Sequence, residues 1–262
     1  MFNAAKYKSL ISQCDVRGIT SGRQAAAATF TKKFTAPCFH IGVCVIISYM
    51  TSPLHIILHT TPEQTARLQA LQVAFAEVCN ALAPVVQQTR CWNRVALHHI
   101  TYHDLRQRFP QVGSQMVCNA IYSVSRTCRL ILQHPNSPFN ITSHPDRPLP
   151  LLQFLPSAPV YFDRHTLSLK EGMLSMYTLD GRMRFQLTLK AEDELRFQRE
   201  KLREIVLARS PQGYQLSFWL AAVDVDEDRP ASLEAEMPEY VLVHAAAPDK
   251  APTIPQATAV LS

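Results

Sequence analysis

"MLSMYTLDGRMRFQLTL", residues 173–189, carries the clearest local signal in the chain. Asp180-Gly181 is the kind of pair that a type I′ hairpin turn needs, because both central residues of that turn take positive φ. On the returning side Met183, Phe185, Leu187 and Leu189 alternate with polar residues, the period of a strand with one buried face. An antiparallel hairpin is expected here, and with it a sheet in the second half of the chain.

On the C-terminal side, residues 191–208 read as a charged helix with Leu195, Leu202, Ile205 and Val206 on its buried side. "GYQLSFWLAAVDV" (213–225) reads as a further strand. On the N-terminal side, "HPNSPFNITSHPDRPLPLLQFLPSAP" (134–159) is crowded with proline, which lacks the N–H that ladders and helix interiors use. Residues 134–158 are therefore expected to be a linker or surface loop.

Before that break the period is helical. "PLHIILHT" (53–60) has the short, β-branched character of a strand, and Thr61, Pro62 and Gln64 follow it as cap, first helical position and capping-box partner. Leu68, Leu71, Phe75, Val78 and Leu82 then make one apolar stripe. Thr101 reads as the cap of a second helix, with Asp104 three residues on, running through Leu105 to Phe109 before Pro110. A third helix starts near Ser114, with Met116, Val117, Ala120, Ile121, Val124 and Cys128 buried. Arg126 and Arg129 near its C-terminal end also suit the helix dipole. A strand, three helices, then several strands with one helix give an α+β layout, open to an antiparallel barrel with a helical insertion.

The first 49 residues show no periodicity. "APCFHIGVCVIISYM" (36–50) is too short and interrupted to span a bilayer and too far from Met1 for an ordinary signal peptide. Either translation begins at Met50, or the stretch is an N-terminal extension with a weak strand near 41–49. Seven cysteines, odd in number and never spaced C-x-x-C, read as intracellular free thiols, and a cytoplasmic location follows.

Seven glycines against eighteen prolines, with neither G-x-G-x-x-G nor G-x-x-x-x-G-K, disfavour the two common phosphate-binding loops. The formal charge of +5 resides in residues 1–49, and the rest sums to zero. More telling, residues 61–150 hold eight arginines and no lysine. Arginine without lysine suits planar contacts to phosphates and bases, although a codon bias gives the same count.

His98, His99 and His103 raise the question of a metal, since His99 and His103 stand one helical turn apart. With the helix beginning at Thr101, between them, they would not share a face, and H-E-x-x-H is absent; no metal or cofactor is expected. Asp224, Asp226, Glu227 and Asp228 crowd after a strand and invite magnesium, but a solvated turn explains them better. No nucleophile elbow occurs.

Four segments resemble, in order, the TnpB family of transposon-encoded RNA-guided nucleases, relatives of the type V CRISPR effectors. They are "TPEQTARLQALQVAFAEVCNALAP" (61–84), "VALHHITYHDLRQRFPQVGSQMVCNAIYSVSRTCR" (95–129), "PVYFDRHTLSLKEGMLSMYTLDGRMRFQL" (159–187) and "GYQLSFWLAAVDVDED" (213–228). The resemblance implies an antiparallel wedge-type β-barrel whose first strand (50–60) is followed by an inserted helical recognition domain (61–133), with the remaining barrel strands and helix in 159–229. It places Tyr102, Ser114, Gln115, and Cys118 or Asn119, toward a short DNA motif, against the alternative that Tyr102 and Gln115 pack or cap. Phosphate contacts are expected from Arg90, Arg94, Arg106, Arg108, Arg126, Arg129, Arg182 and Arg184. Implied partners are a guide RNA from the transposon end and double-stranded DNA, with no membrane.

The departure lies at 230–262, an Ala- and Pro-rich tail where family members enter a RuvC-like nuclease domain through a "G-V-D-L-G" strand. Two-metal cleavage needs several converging carboxylates on a rigid sheet, which this tail does not supply. Binding of RNA, DNA or both without cleavage is therefore expected. The alternatives are one half of a split nuclease whose RuvC fragment is separately encoded, and an inert relic of a decayed element.

Overall fold

A computed structural model describes residues 53–142, 145–221 and 237–245. The alternatives for the chain start, the apolar run at 36–50 and the acidic cluster at 224–229 lie outside the described residues.

Strand β1 (Leu54–Leu58) leads directly into helix α1 (Pro62–Thr89). The capping box forms as the residues dictate: Gln64 N donates to Thr61 Oγ1 at 3.2 Å, and Thr61 N donates to Gln64 Oε1 at 2.9 Å. The stripe Leu68, Leu71, Phe75, Val78 and Leu82 is at most 1 % exposed and packs on helix α3 (Ser114–Leu132) and on the strands. α1 alone among the described helices is long and apolar enough to cross a membrane, and that apolarity is spent on the core.

Helix α2 (Arg94–Arg108) does not begin at Thr101. Asn93 caps it, its side chain accepting from Val95 N at 3.0 Å and Ala96 N at 3.1 Å; Asn is as strong an N-cap as Thr, and nothing between 94 and 101 breaks a helix. Thr101 instead lies buried mid-helix, its hydroxyl donating to Leu97 O at 2.7 Å.

The chain then returns to strands β2 (Leu151–Phe154), β3 (Val160–Phe162), β4 (Leu167–Lys170), β5 (Met173–Thr178) and β6 (Gly181–Gln186). Helix α4 (Ala191–Arg199) and strands β7 (Lys201–Ser210), β8 (Gly213–Ala221) and β9 (Val241–His244) complete the described elements. All pairings are antiparallel, in three sheets ordered β1-β8-β7-β3, β2-β9 and β4-β5-β6. The protein is thus α+β, and no closed barrel forms among the described residues. β1 pairs with β8 across the whole helical segment, so α1 to α3 are an excursion between a first strand and its sheet.

Further expectations are corrected. Residues 201–208 are strand, not helix, because the tight Pro211-Gln212 connection pairs Ser210 with Gly213 and folds β7 onto β8, putting Ile205 and Leu207 beside Phe218 and Leu216 in the core. Leu195 and Leu202, assigned to a buried helix side, are 41 % and 37 % exposed. The Pro-rich segment is not free of ladders, since β2 lies within it and pairs with β9 from the tail.

The hairpin at Asp180-Gly181 forms, but Thr178 pairs with Gly181, leaving Leu179 and Asp180 as the connection. Positive φ falls on Gly181 alone (96°), the pattern of a turn followed by a left-handed glycine rather than type I′. Type I′ geometry occurs one hairpin earlier, at Glu171 (φ 52°) and Gly172 (φ 74°) between β4 and β5. A Cβ on Gly172 would meet Leu187 O at 2.9 Å, and Leu187 N already donates to Gly172 O at 2.7 Å. Gly172→Ala is expected to cost about 2 kcal/mol in urea unfolding, through strained φ and displaced backbone. A change within about 0.5 kcal/mol would mean that the turn reshapes freely.

Candidate nucleic-acid interface

The expected site residues fall into two groups. On α3, Ser114 is exposed at the first position, while Gln115 Nε2 donates to Asp163 Oδ2 at 2.6 Å. Asp163 in turn organises the β3–β4 turn, accepting from His165 N, Thr166 N and Thr166 Oγ1 at 3.1, 3.0 and 2.8 Å. Asn119 is buried, its amide donating to Tyr161 O at 3.0 Å and Thr166 Oγ1 at 3.4 Å. These two amides brace the helix against the sheet. To contact a base Asn119 would first give up an internal partner, whereas Gln115 keeps its Oε1 and second amide hydrogen uncommitted.

Cys118 sits half-buried between them. Burial pushes its thiol up; Arg94 and Arg106 pull it back down, and Asp163 adds to the rise. It is not a primed nucleophile. Cys79, Cys91 and Cys128 are buried, and burial raises the thiols of Cys79 and Cys128.

Most of the arginine pool on the helical segment is engaged. Arg90, the left-handed cap of α1, donates to Arg147 O at 3.0 Å and to Pro145 O. Arg106 donates to Val112 O, Arg108 pairs with Asp104 at 3.5 Å, and Arg129 Nε donates to Ser125 O at 3.4 Å. Arg126, half-buried, forms an ion pair with the buried Glu204 at 3.3 Å. Arg94 is exposed but lies over the Tyr122 ring, 5.2 Å from its centroid. Tyr102 stacks on His98 at 4.7 Å and 20°, leaving it half-buried.

The second group is on the sheet β4-β5-β6. Leu167, Leu174, Met176, Met183 and Phe185 go inward, so the opposite face presents Ser168, Lys170, Met173, Ser175, Tyr177, Arg182, Arg184 and Gln186. Three cations share this face, and its strands contribute no carboxylate to it. The nearby acids are in the turns: Glu171 lies 3.7 Å from Lys170, and Asp180 lies 3.4 Å from Arg67. The Arg182 guanidinium lies over the Tyr177 ring at 4.2 Å while donating to Ser175 and to His165 O. Tyr177 remains 42 % exposed, and Arg184 is exposed directly across from Ser175.

Lys170 and Tyr177 were missed by sequence reasoning, though the signal was present. Strand alternation puts Tyr177 on the face of Arg182 and Arg184 in either hairpin register; only its direct partner depends on the turn.

Among the described residues, no group of three or more His, Cys, Asp and Glu gathers in a way that could hold a metal ion. The site and fold are those of an α+β protein with a helical excursion and one basic, aromatic sheet face. No family model matches the chain, and no curated protein matches it.

Proposed function

We propose that this protein binds nucleic acid through the exposed face of β4-β5-β6 and does not cut it. The observation that carries this reading is the register that gathers Lys170, Arg182 and Arg184 around an exposed Tyr177, with no acid from those strands on the face. Cations neutralise phosphates and release counterions, and a tyrosine offers a stacking surface to a base of any identity. The resemblance to the TnpB family supports the same class, a nuclease-deficient, transposase-family binder of guide RNA or target DNA. In this reading β1-β8-β7-β3 is the open counterpart of a wedge barrel and α1 to α3 its recognition insert. Tyr102, Ser114 and Arg94 are then the members of the helical set best placed to meet a second strand, because each is wholly or partly exposed and makes no side-chain hydrogen bond or ion pair among the described residues.

The test is salt-dependent binding of the full chain to single-stranded RNA and duplex DNA. Arg184→Ala is expected to weaken binding to every sequence alike and flatten the salt slope by about one unit. Tyr177→Ala is expected to weaken binding to single strands by about 1–3 kcal/mol. Binding without salt dependence, or indifferent to both substitutions, would overturn the proposal.

A further inference from the structure

The nucleic-acid reading leaves the exposed histidines of α2 unused. With the helix capped at Asn93 and Thr101 buried inside it, one continuous helix runs through His99 and His103. Side chains four apart on a helix have Cβ atoms about 5–6 Å apart on one face, the spacing at which two imidazoles reach a single ion. We propose that His99 and His103 form a two-imidazole chelate for a borderline divalent transition-metal ion such as zinc or nickel.

Both side chains are exposed, and neither makes a hydrogen bond or ion pair among the described residues. His99 meets His98 edge-on at 5.9 Å and 87°, and His103 meets Tyr102 edge-on at 5.7 Å and 71°. The stacked His98 and Tyr102 thus form a shared aromatic wall against which both outer rings lean. The helix beneath is fixed by Leu97, Thr101 and Leu105, all buried, so the backbone positions of the pair are set before any ion arrives. Asp104, the nearest carboxylate in sequence, faces Arg108 at 3.5 Å. No third His, Cys, Asp or Glu joins the pair among the described residues, so the ion keeps coordination positions open. Imidazole donors select zinc, nickel or copper over magnesium and calcium, which take oxygen ligands.

The measurement is calorimetric titration of the full chain, without a histidine tag and with its thiols kept reduced, using Zn(II), Ni(II) and Mg(II). One equivalent of Zn(II) and of Ni(II) is expected at this site, with no Mg(II) uptake there. His99→Ala and His103→Ala should each weaken that equivalent about tenfold or more, the least expected when a ligand rather than its outer-shell support is lost. His98→Ala, one position away, should weaken it much less. The proposal is overturned if the equivalent survives His99→Ala/His103→Ala in a chain whose helical signal is unchanged, or if His98→Ala alone abolishes it. Nucleic-acid binding measured in parallel on the same variants keeps failure here distinct from failure of the sheet face.

Discussion

Arg126→Met is expected to lower stability by about 3–5 kcal/mol at pH 8, because it strands a carboxylate in the interior. Glu204 is 8 % exposed and meets Arg126 Nε at 3.3 Å, while Tyr122 Oη donates to the same oxygen at 3.1 Å. It pairs with Trp219 on the sheet face opposite Ile205 and Phe218, the face it shares with Val206 and Tyr161, and α3 covers it there through Tyr122 and Arg126. Burial raises the Glu204 carboxyl above the ordinary carboxylate range, against the pull of Arg126 and the Tyr122 hydrogen bond.

The pH dependence follows from that direction. The folded state holds the Glu204 proton more tightly than the unfolded state does. Its contribution therefore favours folding below the unfolded carboxylate range and declines as pH rises through the raised value. Removing Arg126 deletes the strongest force restraining that rise, so the variant's deficit should be greatest at pH 8 and shrink toward pH 5. Urea unfolding at the two pH values measures it. The double variant Arg126→Met/Glu204→Leu should recover most of the loss, since apolar pairs replace buried ion pairs at little cost. A deficit independent of pH, or under about 1 kcal/mol at pH 8, would show that the pair does not hold the α3–β7 junction.

Where local chemistry outweighed tertiary context, the fold was legible in the sequence. The Thr61 capping box, the Leu68–Leu82 stripe and the α3 core positions stand where the spacing put them, because each is set within a few turns of one helix. Ile205-Val206-Leu207 was not legible: a short apolar run next to charged residues fits a helix or a strand until the distant β8 is known. At 93–101 two competent caps competed, and the one followed by more helix-forming sequence won. The site was half legible for the same reason. The arginines were evident as a pool, but their neighbours decide which stay available, and the carbonyls that occupy Arg90 and Arg106 are invisible in composition.

The Pro-rich segment leads to the second large effect. Its carbonyls cannot all find ladder partners, since proline supplies no N–H, and α1 meets the deficit with side chains on one stripe. Gln72 donates to Ser157 O and Ala158 O at 3.3 and 3.2 Å, Gln87 to Leu149 O at 3.0 Å, and Arg90 to Arg147 O at 3.0 Å. Leu149, Arg147 and Ala158 each precede a proline. Asn80 is the centre of this strap, donating to Phe154 O at 2.9 Å and accepting from Phe154 N at 2.7 Å, as a neighbouring strand would. Asn80→Ala leaves both backbone groups of a buried residue without partners, so a loss of about 2–4 kcal/mol is expected. Gln87→Ala frees one carbonyl and should cost about 1 kcal/mol. Because β9 is held in the protein by β2, hydrogen exchange in Asn80→Ala should quicken at 151–154 and 241–244 well before it quickens in α3. Uniform acceleration across all helices and strands would mean that the segment is not a separable strap but an integral part of one cooperative core.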